Sequence, residues 1–234
     1  MTMDRRKFIT ITGASLSAAL LESCNSYGPE SADKVLKFAE RKNAVVERAL
    51  FRHTSMDETI AGAKYAGNAL PSYFVSRTVP VWTGAPWMLE VGGMVDNPMK
   101  FSLQNLIDMP RDAQRVNHYC VEGWTAKELW TGVKFSYIAS LVRPHREARY
   151  VDFESFDNGY HESWDIESTM HRQTLIAYAL DGRMLGPAHG APARLYSPVK
   201  LGYKNTKYLT RIMFMPKPNG GYWSDRGYEW YGGV

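Results

Sequence analysis

The chain has two cysteines, and one of them, Cys120, stands in a run whose neighbours can do chemistry: His118-Tyr119-Cys120-Val121-Glu122-Gly123-Trp124. The other, Cys24, ends a segment that reads as an export signal, so a structural disulfide would have to use a residue that processing removes or modifies. Two uses are open to Cys120. A buried thiol packs as a small hydrophobe; a thiolate holds a thiophilic metal. Strand alternation puts Val116, His118 and Cys120 on one face, with His118 either an outer partner of a metal site or a core histidine. A second segment, His189-Gly190-Ala191-Pro192-Ala193-Arg194-Leu195 followed by Gly202-Tyr203-Lys204-Asn205-Thr206-Lys207, sets one His, one Arg and two Lys among glycines. Glycine lets backbone approach a ligand closely, and an arginine fork with lysine point charges suits a phosphate. The same residues between two strands would also make an ordinary solvated face.

These groups have to be positioned by short elements. Val35, Phe38, Ala39, Val45, Val46, Ala49 and Leu50 recur at helical spacing and predict an amphipathic helix over 32–51, capped by Ser31 or Asp33, that packs as an arm against the main domain. From Pro71 the pattern shortens. Trp87 to Val95 reads as a strand into a turn, with Asp96-Asn97-Pro98 marking the next turn. Ser102 to Met109 reads as a short helix with Ser102 as N-cap and Pro110 beyond its end. Val133 to Val142 is expected to be helical, stopping before Pro144. Tyr150 to Phe156 is an expected strand, Thr169 to Ala179 a helix or an extended core segment, and Ala193 to Val199 and Tyr208 to Met215 two further strands. The fold class expected is α+β, strand-rich, with an N-terminal helical arm.

The N-terminus supplies an address. Arg5-Arg6-Lys7-Phe8-Ile9 precedes a small or apolar stretch from Ile9 to Leu21, well short of the ~20 apolar residues that cross a bilayer. It reads as a twin-arginine export signal, the route for proteins that fold around a cofactor before transport. Leu21-Glu22-Ser23-Cys24 is like a lipoprotein cleavage box, with Glu22 out of place and Cys24 the residue to be acylated. Residues 1–23 are thus a signal segment, 24–70 a linker and helical arm, and 71–234 one domain long enough for its own core. A net charge of +4 without a basic run among aromatics excludes a nucleic-acid partner. The absence of Cys-x-x-Cys-His excludes covalent c-type haem.

Several motifs in register carry a family resemblance. Cys120-Val121-Glu122-Gly123-Trp124 with Trp130-x-Gly132 resembles the molybdenum-ligand segment of the sulfite oxidase family of molybdopterin enzymes. His189-Gly190-x-Pro192-x-Arg194 with Gly202-x-Lys204-x-x-Lys207 is similar to that family's pterin-phosphate segment. Arg77, in Phe74-Val75-Ser76-Arg77-Thr78-Val79-Pro80, falls where the family carries an arginine on the path of its anionic substrate. Phe153-Glu154-Ser155, Asp157 and Tyr160-His161-Glu162-Ser163 continue the match, which runs from about Tyr73 to Met215. The resemblance implies a sulfite-oxidase-type domain holding molybdenum with one molybdopterin. It makes Cys120 the protein thiolate on the metal, and His189, Arg194, Gly202, Tyr203, Lys204 and Lys207 the cofactor-binding set. Ser155 is implied as a small hydroxyl residue near the cofactor, and Tyr160 as the active-site tyrosine.

Oxygen-atom transfer at sulfur is the activity so implied. Arg77 favours a sulfur oxyanion, hence sulfite oxidation, with electrons passed to a cytochrome c or a membrane haem subunit. The Cys120 segment, however, resembles the bacterial exported branch, which includes a periplasmic methionine sulfoxide reductase running the transfer in reverse. The mature chain is too short for the family's extra dimerisation domain or a fused cytochrome. A different class also fits the residues: a non-catalytic envelope protein that binds through its Gly220–Tyr231 aromatic tail and uses Cys120 for packing. That tail reads either as a rim over the site or as a strip laid across the domain.

Overall fold

The structure is a computed structural model that describes residues 30–51, 56 and 70–234. The signal segment and Cys24 lie outside what it describes, whereas the expected caps Ser31 and Asp33 fall inside a helix that already begins at Glu30, so neither precedes it as an N-cap. Two units are distinguished, Met1–Ala49 and Leu50–Val234. The first contributes helix α1 (Glu30–Leu50), which fulfils the amphipathic spacing. Val35, Phe38, Val45 and Val46 on it are all more than half exposed. Among the described residues no helix is long and apolar enough to cross a membrane.

The second unit is built on two five-stranded sheets. One runs β2 (Met99–Ser102), β1 (Met88–Gly93), β10 (Leu209–Met215), β5 (Tyr150–Ser155) and β6 (His161–Asp165). Its single parallel pair is β1 with β10, in register Val91 to Ile212. The other runs β3 (Arg111–Tyr119), β4 (Thr125–Lys134), β7 (Leu175–Leu180) and β8 (Arg183–Met184), with β9 (Arg194–Tyr196) also paired to β7. Helices α2 (Leu103–Asp108), α3 (Phe135–Val142) and α4 (Ile166–Thr169) connect strands.

Local chemistry explains most of these boundaries. Ser102 Oγ accepts from Asn105 N and Asn105 Oδ1 accepts from Ser102 N, a reciprocal cap that starts α2 and contributes about 1 kcal/mol. α3 ends at Arg143, held in the left-handed region at φ 54° just before Pro144. It begins two residues later than expected, because Val133 and Lys134 complete β4 opposite Ile176 and Leu175. Strand β4 lies between β3 and β7, so extending its ladder satisfies backbone groups that a helix start would leave open. At Gly132 a Cβ would strike the Ile176 backbone, so only glycine permits this close crossing.

β7 resolves the ambiguity over 169–179. Its six residues are all buried, with Ile176 and Tyr178 in one apolar cluster and Leu175, Ala177 and Leu180 in another. A strand covered on both faces loses its polar alternation and reads like a helix segment. The larger cluster joins Leu89, Phe135, Phe153, Trp164, Ile212 and Phe214 between the sheets. The smaller one gathers Val116, Trp130 and Tyr196, the last two stacked at 4.1 Å between centroids.

Candidate functional site

Five separate segments converge on one cavity of about 220 Å³. They are the 70–75 stretch, the β3–β4 hairpin, the β5–β6 hairpin, the 188–208 segment and the C-terminal tail. Cys120 stands at the corner of the first hairpin, one residue beyond β3. Its N–H donates to Trp124 O (3.0 Å) and its carbonyl accepts from Gly123 N (3.0 Å), with Gly123 at φ 86° to close the turn. The thiol is free and half-buried. Burial raises its pKa above the usual 9.0, assisted by the Glu122 charge and opposed by backbone hydrogen bonds. Without a cation beside it the sulfur therefore keeps its proton; a metal held there would displace that proton.

Of the ten residues singled out in sequence, eight line this cavity: Cys120, Ser155, Tyr160, His189, Arg194, Gly202, Tyr203 and Lys207. Arg194 is 5% exposed and donates to His189 O and Asn205 O, both at 3.1 Å, with its guanidinium over the Trp130 ring. Lys207 is pushed down to about 7, by burial first and then by the Arg194 charge. Burial, with Arg194 and Lys207, also holds His189 below its ordinary value. Tyr160 donates its hydroxyl to Tyr203 O. Burial first, then the Glu162 charge, raises Tyr160 well above 10.0, so it stays a donor at any physiological pH.

Two expectations need correction. Lys204 does not reach the cavity lining: it is fully buried with its ammonium on the equally buried Glu162, and it also donates to Ser163 O and Ser224 Oγ. A lysine neutralised this way has no charge to spare for a phosphate. Arg77 is exposed and absent from the lining. The chain turns it outward because Asp157 grips the preceding backbone, accepting from Val75 N (2.7 Å), Ser76 N (2.8 Å) and Ser76 Oγ (2.6 Å). The Ser155 hydroxyl accepts in turn from Asp157 N (2.9 Å).

Other lining residues carried only a weak sequence signal. Glu122, quoted in the Cys120 run without a role, accepts from Tyr73 Oη (2.9 Å) and Trp124 Nε1 (3.1 Å), with Cys120 Sγ 4.0 Å away. His118 is an intermediate case. It packs on Tyr196 and Trp124 and lines the cavity, yet its Nδ1 is buried with no hydrogen-bond partner among the described residues. Burial, then Arg194, lowers it to about 3, so the ring is neutral.

These features fit a pterin bearing an anionic phosphate and a metal at sulfur. Arg194, Lys207 and His189 repel one another across a shared wall, which an anion would relieve. Gly190 and Gly202 allow the backbone to pack closely here, since a Cβ would meet Lys207 at 2.9 Å and His118 at 2.8 Å respectively. A soft thiol completes the donor set.

The Lys207 shift carries a pH prediction. Between about 7 and 10.5 the unfolded lysine binds a proton that the folded one does not, so this group makes stability rise with pH across that window. In cofactor-free protein, the difference between wild-type and Lys207→Met melting temperatures is expected to change in that sense between pH 6.5 and 9. An unchanged difference would mean that Lys207 is solvated.

Comparison with known proteins agrees with this geometry. The model of the oxidoreductase molybdopterin binding domain matches residues 76–223. A putative protein-methionine-sulfoxide reductase subunit YedZ1 of Azospira oryzae is 34% identical, over 98% of this chain and 87% of that protein. The uncharacterized oxidoreductase YuiH of Bacillus subtilis is 32% identical over 71% of this chain and 89% of its own. The protein-methionine-sulfoxide reductase catalytic subunit MsrP of Xanthomonas axonopodis is 32% identical over 63% of this chain and 51% of its own. Among solved structures, the sulfane dehydrogenase SoxCD of Paracoccus pantotrophus shares the fold, with a TM-score of 0.57 at 20% identity over 61% of this chain and 41% of that one. A non-catalytic binding protein is thereby set aside. The chain belongs to the oxidoreductase molybdopterin-binding domain family, the sulfite oxidase family, and is a molybdopterin-binding oxidoreductase of that type.

Proposed function

We propose that this chain is the catalytic subunit of an exported S-oxide reductase acting on methionine sulfoxide. One observation carries the reading. Cys120 shares its cavity with the rings of Tyr73, Phe74, Trp124, Trp223 and Tyr228, whereas Arg77, the residue that favoured sulfite, is exposed outside it. A sulfur oxyanion needs a desolvated cation beside the metal. The cations that do line the cavity are the ones suited to the cofactor phosphate. An apolar, ring-lined mouth suits a neutral thioether S-oxide. The names of the Azospira and Xanthomonas relatives support the same substrate class.

The cofactor in this reading is molybdenum with one molybdopterin, with Cys120 as the protein's sulfur ligand and His189, Arg194 and Lys207 on the phosphate. Gly202 and Tyr203 offer close backbone, and Ser155 fixes the turn beside them. When bound, the cofactor supplies two-electron oxygen-atom transfer. Tyr160, held protonated, donates a hydrogen bond to Tyr203 O at the cavity wall. The overall reaction takes a sulfoxide, two electrons and two protons to a thioether and water. The electrons come from an external reduced carrier, a membrane haem subunit or a soluble cytochrome c. Export by the twin-arginine signal places the enzyme in the periplasm, with a lipid anchor at Cys24 that the mass of the mature N-terminus would reveal.

The test uses holoenzyme purified after expression with its own signal. Methionine-sulfoxide-dependent oxidation of a reduced viologen is compared with sulfite-dependent reduction of cytochrome c. The sulfoxide kcat/KM is expected to exceed the sulfite value by about 100-fold or more, as expected when a site lacks the polar partner a competing substrate needs. The reverse ratio would overturn the proposal.

A further inference from the structure

The C-terminal tail brings two rings, Trp223 and Tyr228, to the wall of the Cys120 cavity. They meet each other at 5.0 Å between centroids, and Tyr228 meets Tyr203 at 5.3 Å. What fixes them is a buried pair, Glu162 and Lys204, of which the family resemblance had implied Lys204 alone for the cofactor phosphate. The Glu162 carboxylate, on β6, accepts from Lys204 Nζ, from Trp223 N (3.0 Å) and from Ser224 Oγ (3.1 Å), while Lys204 Nζ also donates to Ser224 Oγ (3.3 Å). Gly221 runs so close to Glu162 that a Cβ there would collide with the carboxylate. Ser163 Oγ, next on the strand, donates to Gly220 O and accepts from Asn219 N (3.1 Å) and Trp230 Nε1 (3.0 Å). The tail is therefore bolted at its backbone, and its rings have little freedom to swing.

We propose that Glu162 and Lys204 are positioning residues for an aromatic wall of Trp223 and Tyr228, and that this wall sets a preference for long thioether S-oxides, such as a peptide methionine sulfoxide, over small ones. The inference rests on the S-oxide reading above. Methylene and S-methyl groups against ring faces gain about 2- to 10-fold in affinity per ring. Dimethyl sulfoxide, with no side chain beyond its methyls, offers the rings less apolar surface and gains less. An ion pair withdrawn from solvent to hold a substrate wall also explains why a lysine in the cofactor-binding stretch is spent away from the cofactor.

The experiment measures KM and kcat of holoenzyme for a methionine-sulfoxide tripeptide and for dimethyl sulfoxide, in wild type, Trp223→Ala and the double variant Glu162→Met/Lys204→Met. The double change removes both charges together at similar volume, which buried pairs tolerate far better than loss of one partner. Calorimetric titration with the matching methionine-sulfone peptide, which resembles the substrate in shape, gives a binding readout independent of turnover. Trp223→Ala is expected to raise the tripeptide KM and the sulfone Kd about 5- to 20-fold, with pterin content at the wild-type level and the dimethyl sulfoxide KM raised several-fold less than the tripeptide KM. The double variant is expected to reproduce that split. Equal shifts for both substrates, or none in Trp223→Ala, would sink the wall. A double variant with wild-type constants would sink the positioning role of the pair; if it fails to fold, Ser224→Ala, which removes the hydroxyl between both partners, is measured for the same split. Wild-type enzyme that oxidises sulfite and reduces neither S-oxide would instead remove the S-oxide reading, and this inference with it.

Discussion

Cys120→Ser is expected to lower sulfoxide turnover by more than about 100-fold, beyond the 10- to 100-fold typical of losing an outer partner of a metal site, while leaving the fold intact. The two effects separate because of where the residue sits. Its thiol is half-buried at a hairpin corner, with the Glu122 carboxylate 4.0 Å away. Little packing or hydrogen bonding is lost when oxygen replaces sulfur. The hairpin's hydrogen bonds, Cys120 N to Trp124 O and Gly123 N to Cys120 O, belong to the backbone and survive. A serine hydroxyl, by contrast, is a harder donor that keeps its proton and cannot replace a thiolate on a thiophilic metal. Pterin released per chain should stay near wild type, since His189, Arg194 and Lys207, the residues proposed for the phosphate, lie in a different segment. Thermal melts, pterin fluorescence after oxidation, and the thiolate-to-metal absorption band give the three readouts. A serine variant with wild-type turnover and spectrum would return Cys120 to a packing role.

Arg194→Met should have the second largest effect, on stability and cofactor retention together. The substitution keeps much of the volume but orphans the His189 and Asn205 carbonyls, each bonded at 3.1 Å, at about 1–3 kcal/mol per group. Relief of a buried charge offsets part of this, since burial already lowers the guanidinium to about 10. A net loss of about 2–4 kcal/mol corresponds to a fall in Tm of about 4–16 °C for a domain of this size. Loss of charge-assisted hydrogen bonds to an anion should reduce pterin retention by about 10-fold or more. Arg194→Lys, a point charge without the fork, is expected to fall between. Unchanged pterin content in Arg194→Met would detach this wall from the cofactor.

Much of the site was legible before any coordinates. Cys120 with Trp130 and Gly132, and His189 with Arg194 and Lys207, were picked out by the family resemblance of their segments, while residue type and spacing alone left a packing cysteine and a solvated face open. The α+β class followed from the shift between helical spacing in 32–51 and short turn-bounded segments later, and the Ser102 cap marked α2 directly. Harder to read were elements whose limits are set by neighbours. Val133 and Lys134 joined β4 because β7 offered them a ladder, and within the 169–179 run only the part from Leu175 became a strand, covered on both faces.

The partnering of charges was decided only by tertiary structure. Lys204 and Lys207 lie three residues apart and look equivalent in the chain, yet one is neutralised by Glu162 and the other lines the cavity. Arg77 is turned outward by a grip that Asp157 applies to Val75 and Ser76 from 81 and 82 residues away. The reason is physical: a side chain's type and spacing fix what it can bind. Which counter-charge it meets depends on packing between segments distant in the chain, and the substrate choice hangs on that.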